Sequence, residues 1–125
     1  MLTDDSAAKR SGSGYIAAST AFAVAHPETV TAVLGALEKA STFIAGNPDE
    51  AARITAGHTR APEKTMRSLL DDIKFALALS DHEKTGFDEV AGSLARTGQG
   101  DVTFATGVSP QFLEQAVPGA VSYTK

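Results

Sequence analysis

The chain has 125 residues and 42% hydrophobic content, enough for one ordinary domain with a core of its own. Its formal charge of -4 comes from acids and bases mixed along the sequence, so it lacks the basic stripe of a nucleic-acid surface. It has no cysteine, which excludes disulfides and thiolate chemistry and suits an oxidising or a reducing compartment equally.

The N-terminus, MLTDDSAAKR, places its acids first and has no apolar segment, so it does not read as a signal peptide. Residues 1–13 are expected as a flexible segment. After the Ser-Gly cluster, Tyr15 to Ala18 form a short apolar run whose length suits a buried strand. Ser19 supplies a hydroxyl that can accept from an orphan N–H of a first helical turn, and Thr20 to Ala25 is the short helix that follows. Pro27 disfavours helical geometry at His26 but suits a first helical position, so one helix should stop there and another start.

From Val30 onward, Val33, Leu34, Leu37, Ala40 and Ile44 recur at the spacing of one buried helix face, with Leu37 at its centre as a core residue. Gly46 is placed to end this helix in a left-handed cap, and Asn47 to cap the next in a near capping box with Glu50. Pro48 takes the first position of that third helix, with Asp49 and Glu50 at its positive end. Pro62 opens a helix with Met66, Leu69, Leu70 and Ile73 on its apolar side. Lys74 to Leu79 reads as a short strand, an extended link or a continuation of the helix.

Ser80 and Glu83 form a capping box for a helix bearing Phe87, Val90, Ala91 and Leu94, and Gly98 ends it. Gln99 to Val108 is expected as a loop with an extended piece at Val102 to Ala105. Ser109 and Pro110 start a last helix with Phe112, Leu113, Ala116 and Val117 on its buried side. Residues 118–125 are expected as a frayed tail. The fold class is therefore mostly α, with five or six helices and one or two short strands in a single unit over 14–117.

Catalytic and metal chemistry find little footing in the sequence. His26, His58 and His82 are too far apart in sequence for one helix to present two of them to a metal. Adjacent acids such as Asp71 and Asp72 point apart on a helix and make solvated faces rather than acid/base pairs. Gly12 and Gly14 precede an apolar run instead of lying between a strand and a helix N-terminus, which is the order a phosphate loop requires. No apolar stretch approaches the roughly 18 to 20 residues that cross a bilayer. Neither an enzymatic activity nor a cofactor is expected.

The order of these pieces resembles the C-terminal part of nitrate/sulfonate/taurine-type substrate-binding proteins of ABC transporters, members of the type II periplasmic binding protein family. Tyr15 to Ser19 match an apolar hinge strand followed by Ser or Thr, and Phe22-Ala23 and His26-Pro27-Glu28 match the next motifs. After a long helix, Asn47 to Ala52 match the Asn-Pro-Asp-Glu-Ala-Ala stretch, and Pro110 to Leu113 match a Pro-x-Phe-Leu near the end. The family's N-terminal lobe and most of its second lobe have no counterpart here, and Lys74 to Gly98 lacks the aromatic-rich sequence of many relatives.

The resemblance implies binding of a small anion such as a sulfonate, taurine or nitrate, and delivery to an ABC permease. Of the residues present, it puts Tyr15 and Ser19 nearest the hinge and the rim of the ligand cleft. A core tyrosine and a plain helix cap are the competing structural readings of the two. It also implies a periplasmic or lipid-anchored extracellular parent with its signal upstream, whereas the chain expressed as it stands would be cytoplasmic. The alternative reading is a stand-alone helical interaction or oligomerisation module with no small-molecule ligand. On either reading the isolated chain is expected to form homo-oligomers. Enzymes of thiamine-precursor synthesis, which share the fold, are a distant third possibility.

Overall fold

A computed structural model describes residues 14–124; the expected flexible segment 1–13 and Lys125 lie outside the described residues. The described chain folds into seven helices: α1 (Thr20–Ala25), α2 (Pro27–Gly46), α3 (Pro48–Thr59), α4 (Glu63–Asp72), α5 (Asp81–Arg96), α6 (Phe104–Gly107) and α7 (Gln111–Ala116). The mostly helical class is as the sequence indicates. The expected strands are not: among the described residues the only bridge is a parallel one between Leu79 and Val121. Tyr15 to Ala18 runs without regular structure, because a strand needs a neighbour to complete its ladder and none lies beside it among the described residues.

Local chemistry sets most boundaries. The Ser19 hydroxyl accepts from the Phe22 N–H at 3.2 Å and starts α1. His26 ends α1 by donating its N–H to the Phe22 carbonyl, and Pro27 at once begins α2. At the next junction the caps differ from expectation. Gly46 is the last helical residue of α2 and not a left-handed cap, and Asn47 makes no side-chain cap for α3. Pro48 holds Asn47 out of helical geometry, and from there its N–H and its side-chain amide both donate backwards to the Phe43 carbonyl, at 2.8 and 3.2 Å. The Glu50 carboxylate that would complete a capping box pairs with Arg53 instead.

Helix α3 packs against both α2 and α4. It buries Ala51 and Ala52, whose short side chains allow close approach of helix backbones. Arg60 turns the chain into α4 with φ 59° and ψ 21°, a left-handed conformation that arginine rarely adopts. Residues 73–78 then form an irregular, mostly exposed link that leaves α4 extended at Ile73, so the helix does not continue, and Leu79 makes the bridge to Val121.

Helix α5 begins at the Ser80–Glu83 capping box, with Glu83 Oε2 accepting from the Ser80 N–H at 2.8 Å. Its end is closed by bonds from the Gly98 and Gln99 N–H groups to the Ala95 and Leu94 carbonyls, Gly98 being left-handed at φ 75°. The extended piece expected at Val102 to Ala105 stops at Thr103, with φ -120° and ψ 165°, and α6 takes over from Phe104. Thr103 and Thr106 cap that turn reciprocally, and Asp88 Oδ1 accepts from the Phe104 N–H at 2.7 Å. Helix α7 returns to pack on α2.

The C-terminal residues are tied down rather than frayed. Leu79 donates to the Ala120 carbonyl and accepts from the Ser122 N–H, while the Thr124 N–H and hydroxyl donate to the two Asp81 oxygens at 2.7 and 3.1 Å. A sequence reading misses this strap because its anchor on α5 lies some forty positions away.

The buried hydrophobic residues are Ala51, Ala52, Ala91, Phe104 and Leu113. Leu37, expected at the centre of the core, is 37% exposed, and Val33 one turn before it is 48% exposed. The periodicity located an apolar face correctly, but only part of that face meets other residues. Leu69 with Ile73 at the end of α4 and Val90 with Leu94 on α5 form exposed pairs at the same spacing.

Candidate functional site

Tyr15 approaches α5 from the N-terminal side. Its ring meets Phe87 edge-on, with centroids 5.5 Å apart, and its hydroxyl donates to the Glu83 carbonyl at 2.9 Å. Partial burial and the carboxylates of Glu83 and Asp88 disfavour the phenolate, raising the Tyr15 pKa above its ordinary value of 10.0. Ser19, four positions on, has its hydroxyl occupied with the α1 cap. Both residues said to lie near a ligand thus have structural partners, and no contact joins the two side chains to each other.

A shallow depression lies along α3 and α4, lined by Asp49, Glu63, Lys64, Arg67, Ser68 and Asp71. Arg67 dominates it. Its Nε donates to Asp49 Oδ1 at 2.6 Å across the helix pair, and it also pairs with Asp71 one turn along α4. These bonds hold its guanidinium pKa above the ordinary value. The depression is broad and open to water, and its principal cation is neutralised by two carboxylates of the chain itself. An anion would have to displace one of them, so the arrangement serves to tie α3 to α4 and is not a built anion site.

The titratable groups offer no metal centre, for no group of three or more His, Asp or Glu side chains converges among the described residues. The His26 ring meets Phe22 at a tilt of 48° with centroids 5.1 Å apart, His58 lies in the last turn of α3 and His82 in the first turn of α5. No helix among the described residues is long and apolar enough to cross a membrane.

A cluster that sequence reasoning did not assemble links Tyr15, Phe87, Phe104 and Tyr123 through successive ring contacts. Phe87 was visible on the apolar side of its helix, but Phe104 stood in a presumed loop and Tyr123 in a presumed tail. The Thr103-x-x-Thr106 spacing was the one local hint that the loop contained a helical turn. Compared with protein-family models, with curated proteins and with solved structures, the chain matches none.

Proposed function

We propose that the chain is the C-terminal helical part of an ABC-transporter solute receptor for a small anion such as a sulfonate, taurine or nitrate. What supports this reading is the register between motif and element. The Ser after the apolar run starts α1, the His-Pro breaks α1 from α2, the Asn-Pro-Asp-Glu opens α3, and the Pro-x-Phe-Leu enters α7. On this reading Tyr15 and Ser19 lie at the hinge, and the exposed stripes on α2, α4 and α5 face the parts of the receptor that this sequence does not contain. The parent would be exported, and its partner would be an ABC permease.

The experiment is calorimetry with taurine, alkanesulfonates and nitrate on this chain and on the product of the complete reading frame that contains it. The complete product should bind one of these anions at one site, and the chain alone should bind none, because half a cleft cannot enclose most of a ligand. A reading frame without a receptor lobe, or micromolar binding by the chain alone, would overturn the proposal.

A second reading is a helical interaction module that binds no small molecule. The exposed apolar pairs Val33/Leu37, Leu69/Ile73 and Val90/Leu94 favour it, since a surface of that kind suits protein contacts. A reading frame that begins at Met1 would separate this reading from the first.

A further inference from the structure

The two ends of the described chain meet on α5. At one end Tyr15 lays its ring edge-on to Phe87 and donates its hydroxyl to the Glu83 carbonyl. At the other, the strap Ala120–Thr124 bonds to Leu79 through its backbone and to both oxygens of Asp81 through Thr124. Lys84 fastens the strap further, donating to the Thr124 carbonyl at 2.8 Å with its ammonium 5.8 Å from the centre of the Tyr123 ring.

Between the two ends runs a continuous series of rings. Phe87 meets Phe104 with centroids 5.8 Å apart and planes at 84°, and Phe104 meets Tyr123 at 5.0 Å and 77°. Together with the 77° contact of Tyr15 on Phe87, every contact in the series is edge-to-face, the arrangement that ring quadrupoles favour. Phe104 at the middle is only 2% exposed, so it is held from all sides. Loss of Tyr123 would open one side of Phe104 to water and loosen its seat on Phe87, although its N–H stays tied to Asp88. The ring that supports Tyr15 would then shift with it.

We infer that the strap Ala120–Thr124 is a latch for the N-terminal segment Gly14–Ala18, holding it on α5 through the rings of Tyr123, Phe104 and Phe87. Tyr15 and the strap do not need to touch for one to release the other. If the chain is part of a receptor, the latched segment is its hinge, and the strap sets how firmly the hinge strand is seated. The latch itself does not depend on that reading.

The chain carries its own reporter. It has two tyrosines and no tryptophan, and both tyrosines belong to the series. In Tyr123→Phe the ring is kept and Tyr15 becomes the sole source of the tyrosine band in near-UV circular dichroism, so this variant should retain a Tyr15 signal. Tyr123→Ala also leaves Tyr15 as the sole tyrosine but removes the latch, and it should lose most of that signal while the far-UV spectrum keeps its helical form. A gentler second variant, Asp81→Ala with Lys84→Ala on the Tyr123→Phe background, removes both side-chain anchors of Thr124 without altering any ring and should reduce the same band.

A Tyr15 band that stays unchanged when both side-chain anchors of Thr124 are removed would overturn the latch, whatever becomes of the fold in Tyr123→Ala. All these spectra are read on the 125-residue chain without any anion, so failure here leaves the receptor proposal standing. Failure of anion binding by a complete receptor would likewise leave the latch standing.

Discussion

A hydrogen is all that the space beside Gly107 admits. A Cβ built there would lie 2.8 Å from Val102 Cγ2 and 3.1 Å from the Phe87 ring, so Gly107→Ala should lose stability by overpacking, about 1 to 3 kcal/mol in denaturant melts. Truncation tells the opposite story on α7 and α2. Leu113 is 7% exposed, and its change to Ala should cost about 2 to 5 kcal/mol, whereas Leu37→Ala, on a face that is partly solvated, should cost about half as much or less. Equal losses at the two positions in the monomer would show that the α2 face is better covered than its exposure indicates. Tyr15 adds a dependence on pH. Its raised pKa means that the folded chain prefers the neutral phenol, so its contribution is complete below about pH 10 and is lost as pH rises through the folded value. Melts across that range should fall more steeply for the wild type than for Tyr15→Phe. The difference should be small, because the residue is 48% exposed and its charge partners are screened.

Helices are the scale at which the sequence was most legible, because their starts and stops are written in neighbouring residues. The Ser19 cap, the His26-Pro27 break and the Ser80–Glu83 box all lie where their chemistry places them. Ser80→Ala should accordingly cost about 0.5 to 2 kcal/mol of stability, the usual range for a lost N-cap. The misreadings share one cause, which is competition from a partner that local pattern does not reveal. Arg53 takes the Glu50 carboxylate, Phe43 attracts the Asn47 amide, and Asp81 captures a tail whose composition suggests fraying. The strand expected at Tyr15 to Ala18 fails in the opposite way, for its residues suit a sheet but no second strand stands beside them among the described residues. Ser19 could be found as a cap from its neighbours, but Tyr15, a core tyrosine on the structural reading, is 48% exposed and takes its partners from α5, 68 positions on at Glu83. The aromatic series could not, since its members come from four separate segments of the chain.

For the molecule as a whole, the decisive quantity is surface. The chain exposes 9228 Å², against about 6,300 Å² for a compact monomer of 12.9 kDa. If residues 1–13 and Lys125 accounted for as much as the surface of an unfolded chain, roughly 2,100 Å², the remainder would still stand about 1,300 Å² above the roughly 5,800 Å² of a compact chain of its own mass. One side of a stable protein interface is about 800 Å². The chain alone therefore carries enough surplus surface to associate, and light scattering at tens of micromolar, ordinary for protein association, should show a dimer or larger species. Replacing Val90, 61% exposed, and Leu94, 43% exposed, by lysine should weaken that association if the α5 stripe is part of the contact. A monomer that binds no hydrophobic dye would contradict this expectation.

The non-helical link 73–78 and the docking of α7 on α2 together decide what a protease would leave behind. Lys74 is exposed within that link, where trypsin can seat an extended backbone more readily than a helical one. A cut there yields an N-terminal piece ending with α4 and a C-terminal piece beginning before α5. The C-terminal piece carries α7, which remains seated on α2 of the other. Tyr15 likewise still rests on Phe87 across the cut. Gel filtration of the nicked protein should therefore return one particle, with two bands appearing only when it is denatured. The pieces interlock as two complementary halves, and separately expressed halves should reassemble.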